Sequence, residues 1–171
     1  MVGTIGAHNR LIMNKKYWIG LLLIIVALSG CKQNDWLDWK AQNELWLIEN
    51  GKREGVITTP TGLQYEVIQS GPSTGYPLRP DEYKMVTITY KGWLINDYTF
   101  DSAQSYATYI NSFVPGFIEG LKRMKQFDTY RFYIPWNLGY KSKGNGVAEG
   151  NSSYIPPYTT LIFEVTLEGV N

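Results

Sequence analysis

Few side chains of this 171-residue chain are suited to covalent chemistry: it has one cysteine, Cys31, and one histidine, His8. A single cysteine cannot form a disulfide within the chain. A zinc site of the usual kind needs three or four cysteine or histidine ligands, so no metal site is expected. A Ser-His-Asp or Cys-His hydrolase would depend on this one histidine, which disfavours a nucleophilic hydrolase. The cysteine is therefore the first reactive group to explain.

Cys31 follows a short apolar segment. Lys15 and Lys16 precede the apolar run of residues 19–28, and residues 28–31 (Leu-Ser-Gly-Cys) close it. A basic stretch, a short apolar stretch and small residues describe a secretory signal peptide, and the run is shorter than the ~20 residues of a membrane-spanning helix. Residues 28–31 resemble a bacterial lipobox, in which the thiol is acylated and the chain is cut just before it. We predict lipidation at Cys31, with a short anchor helix and an incidental cysteine as the alternative.

Loss of this leader would change the charge and the chemistry of the remaining chain. Residues 1–30 contain three basic residues and no acidic one, so 13 basic and 15 acidic residues are left, a net charge of −2. Met13 is an alternative true start that would give a compact basic region before the apolar run. The mature chain would have neither His8 nor a second thiol. Because it is mildly acidic, no nucleic-acid partner is expected.

The pattern of apolar residues then predicts the elements that must position any site. Alternation predicts strands at residues 63–68, 86–94, 130–134 and 161–167. Asn96-Asp97 suits a two-residue hairpin turn, which adds a strand from Tyr98. Residues 115–124 are predicted as a helix with Pro115 in its first turn and one apolar face, formed by Phe117, Ile118, Leu121 and Met124. Because helices and strands do not alternate, the pattern indicates an α+β fold with an antiparallel sheet curled over one helix.

A further helix is predicted ahead of the sheet, at residues 34–50, with Asn50-Gly51 as its stop. Trp36, Trp39 and Trp46 lie on it. Two interpretations stay open from the sequence. The tryptophans form a partner surface, or the helix packs on its own domain or serves as a spacer from the lipid.

Four segments, taken in order, resemble the FKBP-type peptidyl-prolyl isomerases, the macrolide-binding immunophilin family. They are residues 61–67; residues 86–94 with 100–102; residues 114–121 with Met124; and residues 133–140 with 155–157 and 161–165. The resemblance covers about residues 58–170 and implies a five-stranded antiparallel half-barrel wrapped around one short helix, preceded by an N-terminal helical segment. It divides the chain into a signal peptide at 1–30, a lipid-anchor linker and helix at 31–57, and an isomerase domain at 58–171.

The resemblance also implies a shallow apolar pocket between helix and sheet. Its catalytic residues would be Tyr90, Phe100, Asp101, Phe117, Tyr140, Ile155 and Phe163, and Phe113, Val114 and Tyr154 would bind substrate. Phe117 would form the floor, and Asp101 would sit at the edge, held by Tyr90. Ile155 would donate its backbone N–H to a bound carbonyl, and Tyr140 its hydroxyl. Without the resemblance, most of these aromatic positions would be read as core.

The implied activity is cis-trans isomerisation of Xaa-Pro bonds in envelope proteins, which needs no cofactor. The implied partners are proline-containing polypeptides and, through acylated Cys31, a membrane at the cell envelope, with the outer membrane favoured; a monomer is expected. The alternative is a low-turnover chaperone or a partner-binding lipoprotein with the same fold. Phe117 stands where Trp is usual, and the loop at 141–154 is longer than is typical. That loop is expected to overhang the pocket, where it would gate it, select substrates or obstruct it. Phe113 and Tyr154 are bulky where smaller aliphatic residues are usual, so a tighter pocket with weak binding of large macrolides is expected.

Overall fold

In a computed structural model of the chain, the described residues are 35–72, 78–81 and 83–171. The predicted leader, Met13, His8 and the lipidation site Cys31 lie outside the described residues. Residues Trp36–Asn171 form one compact unit. Within the described ranges, no helix has both the length and the apolar character needed to cross a membrane.

The described residues form two α-helices and six strands. In chain order they are α1 (Asp35–Asn50), β1 (Val56–Thr58), β2 (Gln64–Gln69), β3 (Met85–Trp93), β4 (Thr99–Tyr109), α2 (Pro115–Leu121), β5 (Thr129–Ile134) and β6 (Leu161–Val170). Single turns of 3-10 helix occur at Ile110–Ser112, Trp136–Leu138 and Lys141–Lys143.

The strands form one antiparallel sheet in the order β1-β2-β5-β6-β3-β4. The predicted α+β class is confirmed, and the predicted strand count of five is one too few. The extra strand is β1, whose three residues are too short to give an alternating pattern. The edge strand β4 is 11 residues long, and most of its side chains are exposed.

The core lies between α2 and the sheet. Pro115 occupies the first helical position, and Phe117 and Leu121 are buried against the strands. Gly120 permits the close approach, because a β-carbon there would lie 2.7 Å from the Phe132 ring. The helix ends at Leu121, three residues before the predicted end. Met124 is nevertheless fully buried, in a turn in which its N–H donates to the Leu121 carbonyl at 3.0 Å.

The N-terminal helix α1 packs on the sheet mainly through hydrogen bonds. Its Asn43 side chain is fully buried and accepts the backbone N–H of Thr160 at 2.8 Å. Farther along, Asn50 donates to the Gln64 side chain at 2.9 Å. The Trp39 indole N–H donates to the Thr159 hydroxyl at 2.9 Å. The Trp46 ring lies 5.7 Å from the Tyr133 ring. Of the two interpretations of α1, packing on its own domain is the one that these contacts support.

Candidate active site

Between α2 and the sheet lies a cavity of about 210 Å³, which we call the aromatic cavity. It is lined by Tyr90, Phe100, Asp101, Ser112, Phe113, Val114, Phe117, Tyr140 and Phe163. The structure thus brings together eight of the ten residues predicted for the pocket. Ser112 was not predicted; it lies in the short turn before α2, where its hydroxyl donates to the Tyr109 carbonyl at 2.6 Å.

Phe117 is the residue on which the other rings converge. Its ring stacks on Phe113 at 4.5 Å and meets the rings of Phe163 and Tyr90 edge-on at 4.9 and 6.3 Å between centroids. Edge-to-face contacts of this kind are favourable beyond the area they bury. At only 2% exposed, Phe117 is both a core residue and the floor of the aromatic cavity.

Gly92 on β3 allows two of these rings to reach the cavity. It pairs with Phe163 on β6 and with Asp101 on β4. A β-carbon at Gly92 would lie 2.6 Å from the Phe163 ring and 2.8 Å from the Phe100 ring. Any larger residue at this position would collide with both rings unless they moved.

The polar groups of the aromatic cavity lie at its rim. The Tyr90 hydroxyl donates to the Asp101 carboxylate at 2.8 Å. Burial and this hydrogen bond raise the pKa of Tyr90 well above its ordinary value. Burial, with a smaller effect of the Asp101 charge, also raises the pKa of Tyr140. Both phenols are protonated at neutral pH, as they would be at their ordinary pKa of 10.0, and the raised pKa values extend this to more alkaline pH. The Tyr140 hydroxyl has no acceptor among the described residues.

Ile155 does not occupy the predicted place. Its side chain is buried outside the lining of the aromatic cavity, and its N–H already donates to the Asn145 side-chain oxygen at 3.1 Å. The cause is the long loop, which folds back so that the Asn145 N–H also donates to the Ile155 carbonyl at 3.2 Å. The N–H predicted to bind a substrate carbonyl is thus occupied.

Val114 carries a backbone donor that the sequence reasoning missed. It lines the aromatic cavity and precedes the first residue of α2, and its N–H has no acceptor in the described part of the chain. The signal was present in the sequence, because the first N–H groups of a helix have no intrahelical acceptor and Pro115 marked the helix start.

Tyr154 lines a different cavity. This cavity of about 290 Å³, the loop cavity, lies between the β3–β4 turn and the long loop and is bordered by Leu94, Asn96, Tyr98, Gly150, Asn151, Tyr154 and Pro156. No residue of the loop at 141–154 lines the aromatic cavity. Instead, the Tyr98 hydroxyl holds the loop by donating to the Ser152 carbonyl at 3.0 Å.

Two family models match the chain. Residues 77–168 match the model of the FKBP-type peptidyl-prolyl cis-trans isomerase, and residues 31–67 match that of the domain amino terminal to FKBP-type peptidyl-prolyl isomerase. The second match spans α1, and the first spans every residue of the aromatic cavity.

Several curated proteins are similar over about three quarters of the chain. A probable FKBP-type isomerase FkpA of Neisseria meningitidis is 35% identical over 75% of this chain and 45% of its own length. The FKBP-type 22 kDa isomerase of Escherichia coli is 37% identical over 74% of this chain and 59% of its own length. The outer membrane protein MIP of Legionella longbeachae is 31% identical over 77% and 54%. The match thus spans about half the length of these relatives.

Solved structures share the fold. The crystal structure of FkpA from Escherichia coli superposes with a TM-score of 0.71 at 27% identity, covering 94% of this chain and 74% of that one. A peptidyl-prolyl isomerase structure from Pseudomonas syringae gives 0.66 at 23% identity, covering 77% and 92%, a likeness of fold alone.

Proposed function

We propose that this chain, which belongs to the FKBP-type peptidyl-prolyl cis-trans isomerase family, catalyses cis-trans isomerisation of Xaa-Pro bonds in proteins of a bacterial envelope. The observation that carries the proposal is the aromatic cavity, which combines a ring floor with two donors that have no acceptor among the described residues, the Val114 N–H and the Tyr140 hydroxyl. A proline ring fits among the aromatic rings, and the donors suit the carbonyl groups of its chain.

The chemistry of the reaction fits the side chains present. The barrier of ~18–20 kcal/mol comes from the partial double bond of the amide, so the reaction breaks no bond and needs no nucleophile or proton relay. The twisted transition state has lost amide resonance and has a smaller dipole than the planar ground state. A site that excludes water and surrounds the amide with rings binds the twisted form better, which is catalysis by differential binding.

Asp101 has a positioning part in this scheme. Its carboxylate holds the Tyr90 hydroxyl at 2.8 Å, which fixes the Tyr90 ring edge-on to Phe117 and Phe163. The same bond occupies the Tyr90 donor, so Tyr140 is the remaining phenol to hydrogen-bond a substrate carbonyl. A phenol is protonated at neutral pH even at its ordinary pKa of 10.0, and the raised pKa of Tyr140 extends this to more alkaline pH.

Attachment to the envelope is part of the same proposal. A leader at 1–30, a linker and helix at 31–57 and an isomerase domain at 58–171 would tether the catalyst to a membrane through acylated Cys31. A single acyl chain binds membranes only marginally, so firm attachment takes more than one. Growth with labelled palmitate should label the chain and leave Cys31→Ser unlabelled; equal labelling of the two would exclude Cys31 as the site.

The test of the activity is a cis-to-trans assay on a short Xaa-Pro peptide with the full chain in detergent. The expected result is a rate well above the uncatalysed exchange, which takes tens to hundreds of seconds. Asp101→Ala and Tyr140→Phe should each lower kcat/KM by about tenfold, equal to ~1.4 kcal/mol of transition-state stabilisation. Asp38→Ala, an exposed change on α1, is the matched control and should keep the full rate.

Two outcomes would contradict the proposal at different points. No rate above background would overturn the isomerase activity. A catalysed rate that neither Asp101→Ala nor Tyr140→Phe lowers would overturn the assignment of the aromatic cavity as its site.

A further inference from the structure

The long loop forms one wall of the loop cavity and leaves the aromatic cavity open. Gly150, Asn151 and Tyr154 come from the loop, and Leu94 and Tyr98 come from the β3–β4 turn opposite. The loop cavity has a volume of about 290 Å³, and Leu94 at its base is only 3% exposed. It is a concave site with an aliphatic base, two phenol rings and a proline at its border.

The walls of the loop cavity are held in place by hydrogen bonds. Tyr98 donates its hydroxyl to the carbonyls of Ser152 at 3.0 Å and Asn151 at 3.4 Å, joining the turn to the loop tip. At the base of the loop, the Asn145 side chain donates to the Ser153 carbonyl at 2.6 Å and accepts the Ile155 N–H at 3.1 Å. Because both ends are tied, the cavity is formed before anything binds in it.

The loop cavity is close to the aromatic cavity along two chain segments. Tyr98 is two residues before Phe100, and Leu94 is two residues after Gly92, which abuts Phe100 and Phe163. Two residues of extended chain span at most about 7 Å. A bound polypeptide rises about 3.3 Å per residue, so a residue two or three positions from a proline in the aromatic cavity reaches the same distance.

We infer that the loop cavity is a specificity subsite for a large apolar or aromatic side chain of the same polypeptide, two or three residues from the bound proline. The inference rests on the proposed isomerase function. Its occupant follows from the wall, because Leu94, Tyr98, Tyr154 and Pro156 offer rings and aliphatic carbon. The other residues at its border are Asn96, Gly150 and Asn151, so none of the described residues that line the cavity is charged. The loop at 141–154 therefore selects among substrates.

The test is a set of otherwise identical Ala-Pro peptides in which one Phe is moved from three residues before the proline to three residues after it. The full chain should isomerise one peptide, with Phe two or three residues from proline, at a kcat/KM about tenfold above that of the all-Ala peptide, which is the lower end of the discrimination that an apolar pocket gives. In Tyr98→Ala the ratio of the two values should fall towards one. Tyr83→Ala removes an equally large but 78% exposed ring and should keep the wild-type ratio.

A second variant separates the ring of Tyr98 from its tether. Tyr98→Phe keeps the ring and removes the hydrogen bonds to the loop tip, so it should retain more of the preference than Tyr98→Ala. Amide NMR shifts give a readout independent of turnover: the preferred peptide should shift the signals of Leu94, Tyr98 and Tyr154.

The outcomes distinguish this inference from the function on which it rests. Equal rates for all peptides with an active wild-type chain would overturn the subsite alone, as would a preference that Tyr98→Ala leaves intact. No isomerisation, together with peptide-induced shifts at Leu94 and Tyr98, would overturn the proposed function and retain the subsite. No isomerisation and no such shifts would overturn both.

Discussion

The two helices pack against the same sheet by opposite means. α2 contacts it through rings and aliphatic side chains, with Phe117 at the centre of four aromatic contacts. α1 contacts it through the Trp46 ring and above all through buried amides, with Asn43 bonded to the Thr160 backbone and Asn50 bonded to Gln64. Apolar packing loses stability in proportion to what is removed, whereas a buried hydrogen bond, once broken, leaves its partner unsatisfied.

The contacts of α2 and α1 with the sheet also differ in whether their residues line the aromatic cavity. The rings that hold α2 are the rings that line the aromatic cavity, so fold and proposed catalysis depend on the same atoms. The amides that hold α1 line none of the cavity. Substitutions on the α2 side should therefore change stability and turnover together, and those on the α1 side should change stability alone.

The largest effect is expected from Phe117→Ala. Truncating a buried Phe costs roughly 3–5 kcal/mol, a large share of the ~5–15 kcal/mol by which domains are stable. The same change removes the floor of the aromatic cavity, so isomerisation by the folded fraction should also be lost. Urea unfolding and the peptide assay measure the two effects separately.

Phe117→Leu keeps the comparison testable if the alanine variant does not fold. Leu keeps the site apolar, and the loss of stability should be about 1–2 kcal/mol, while the ring contacts to Phe163 and Tyr90 disappear. A leucine variant that is destabilised but fully active would show that stability and turnover do not depend on the same ring on the α2 side.

A smaller effect is expected from Asn43→Ala on α1. The change leaves the buried N–H of Thr160 without its acceptor, at a cost of about 1–3 kcal/mol. Turnover per folded molecule should stay at the wild-type value, because Asn43 is not one of the residues that line the aromatic cavity. Gln42→Ala, one residue earlier and exposed, is the matched control and should change neither quantity by a measurable amount. A lower turnover per folded molecule in Asn43→Ala would show that the packing of α1 affects the aromatic cavity.

Much of the fold was predictable because regular elements leave periodic patterns. The alternation at residues 161–167 gave β6, and the apolar spacing from Pro115 gave α2. The three-residue β1 left no period to detect. Most of β4 was also missed, since an edge strand of exposed Ser, Ala and Gln lacks an alternating apolar face.

The aromatic cavity was predictable from the ordered motifs, and the loop was not. Asn145 bonds the Ile155 N–H and the Ser153 carbonyl, and side-chain bonds in an irregular loop have no sequence period. The bond to Asn145 occupies the Ile155 N–H predicted for a substrate carbonyl. Tyr154 lines the loop cavity together with Tyr98 instead of the aromatic cavity. The positive φ of 68° at Gly144, beside Asn145, is a local feature of the same kind.

The smallest expected effect is a loss of stability at alkaline pH, to which tyrosines at the aromatic cavity and near α1 both contribute. Burial raises the pKa of Tyr90 and Tyr140 at the aromatic cavity and, with a hydrogen bond to Glu66, that of Tyr133 near α1, all from an ordinary value of 10.0. Above pH 10 the unfolded chain releases these protons while the folded chain keeps them. The folded state then binds more protons, so the free energy of unfolding falls as pH rises from there.

Urea unfolding between pH 8 and pH 11 measures this fall. Tyr90→Phe and Tyr133→Phe should each make the fall shallower, one on the α2 side and one on the α1 side, because a phenylalanine has no proton to keep. Tyr83→Phe, which changes a ring that is 78% exposed, should leave the slope unchanged. The rate per folded molecule should stay constant from pH 7 to pH 9, where the Tyr140 donor is still protonated. A rate that declines across that range would mean that the pKa of Tyr140 is raised less than its burial implies.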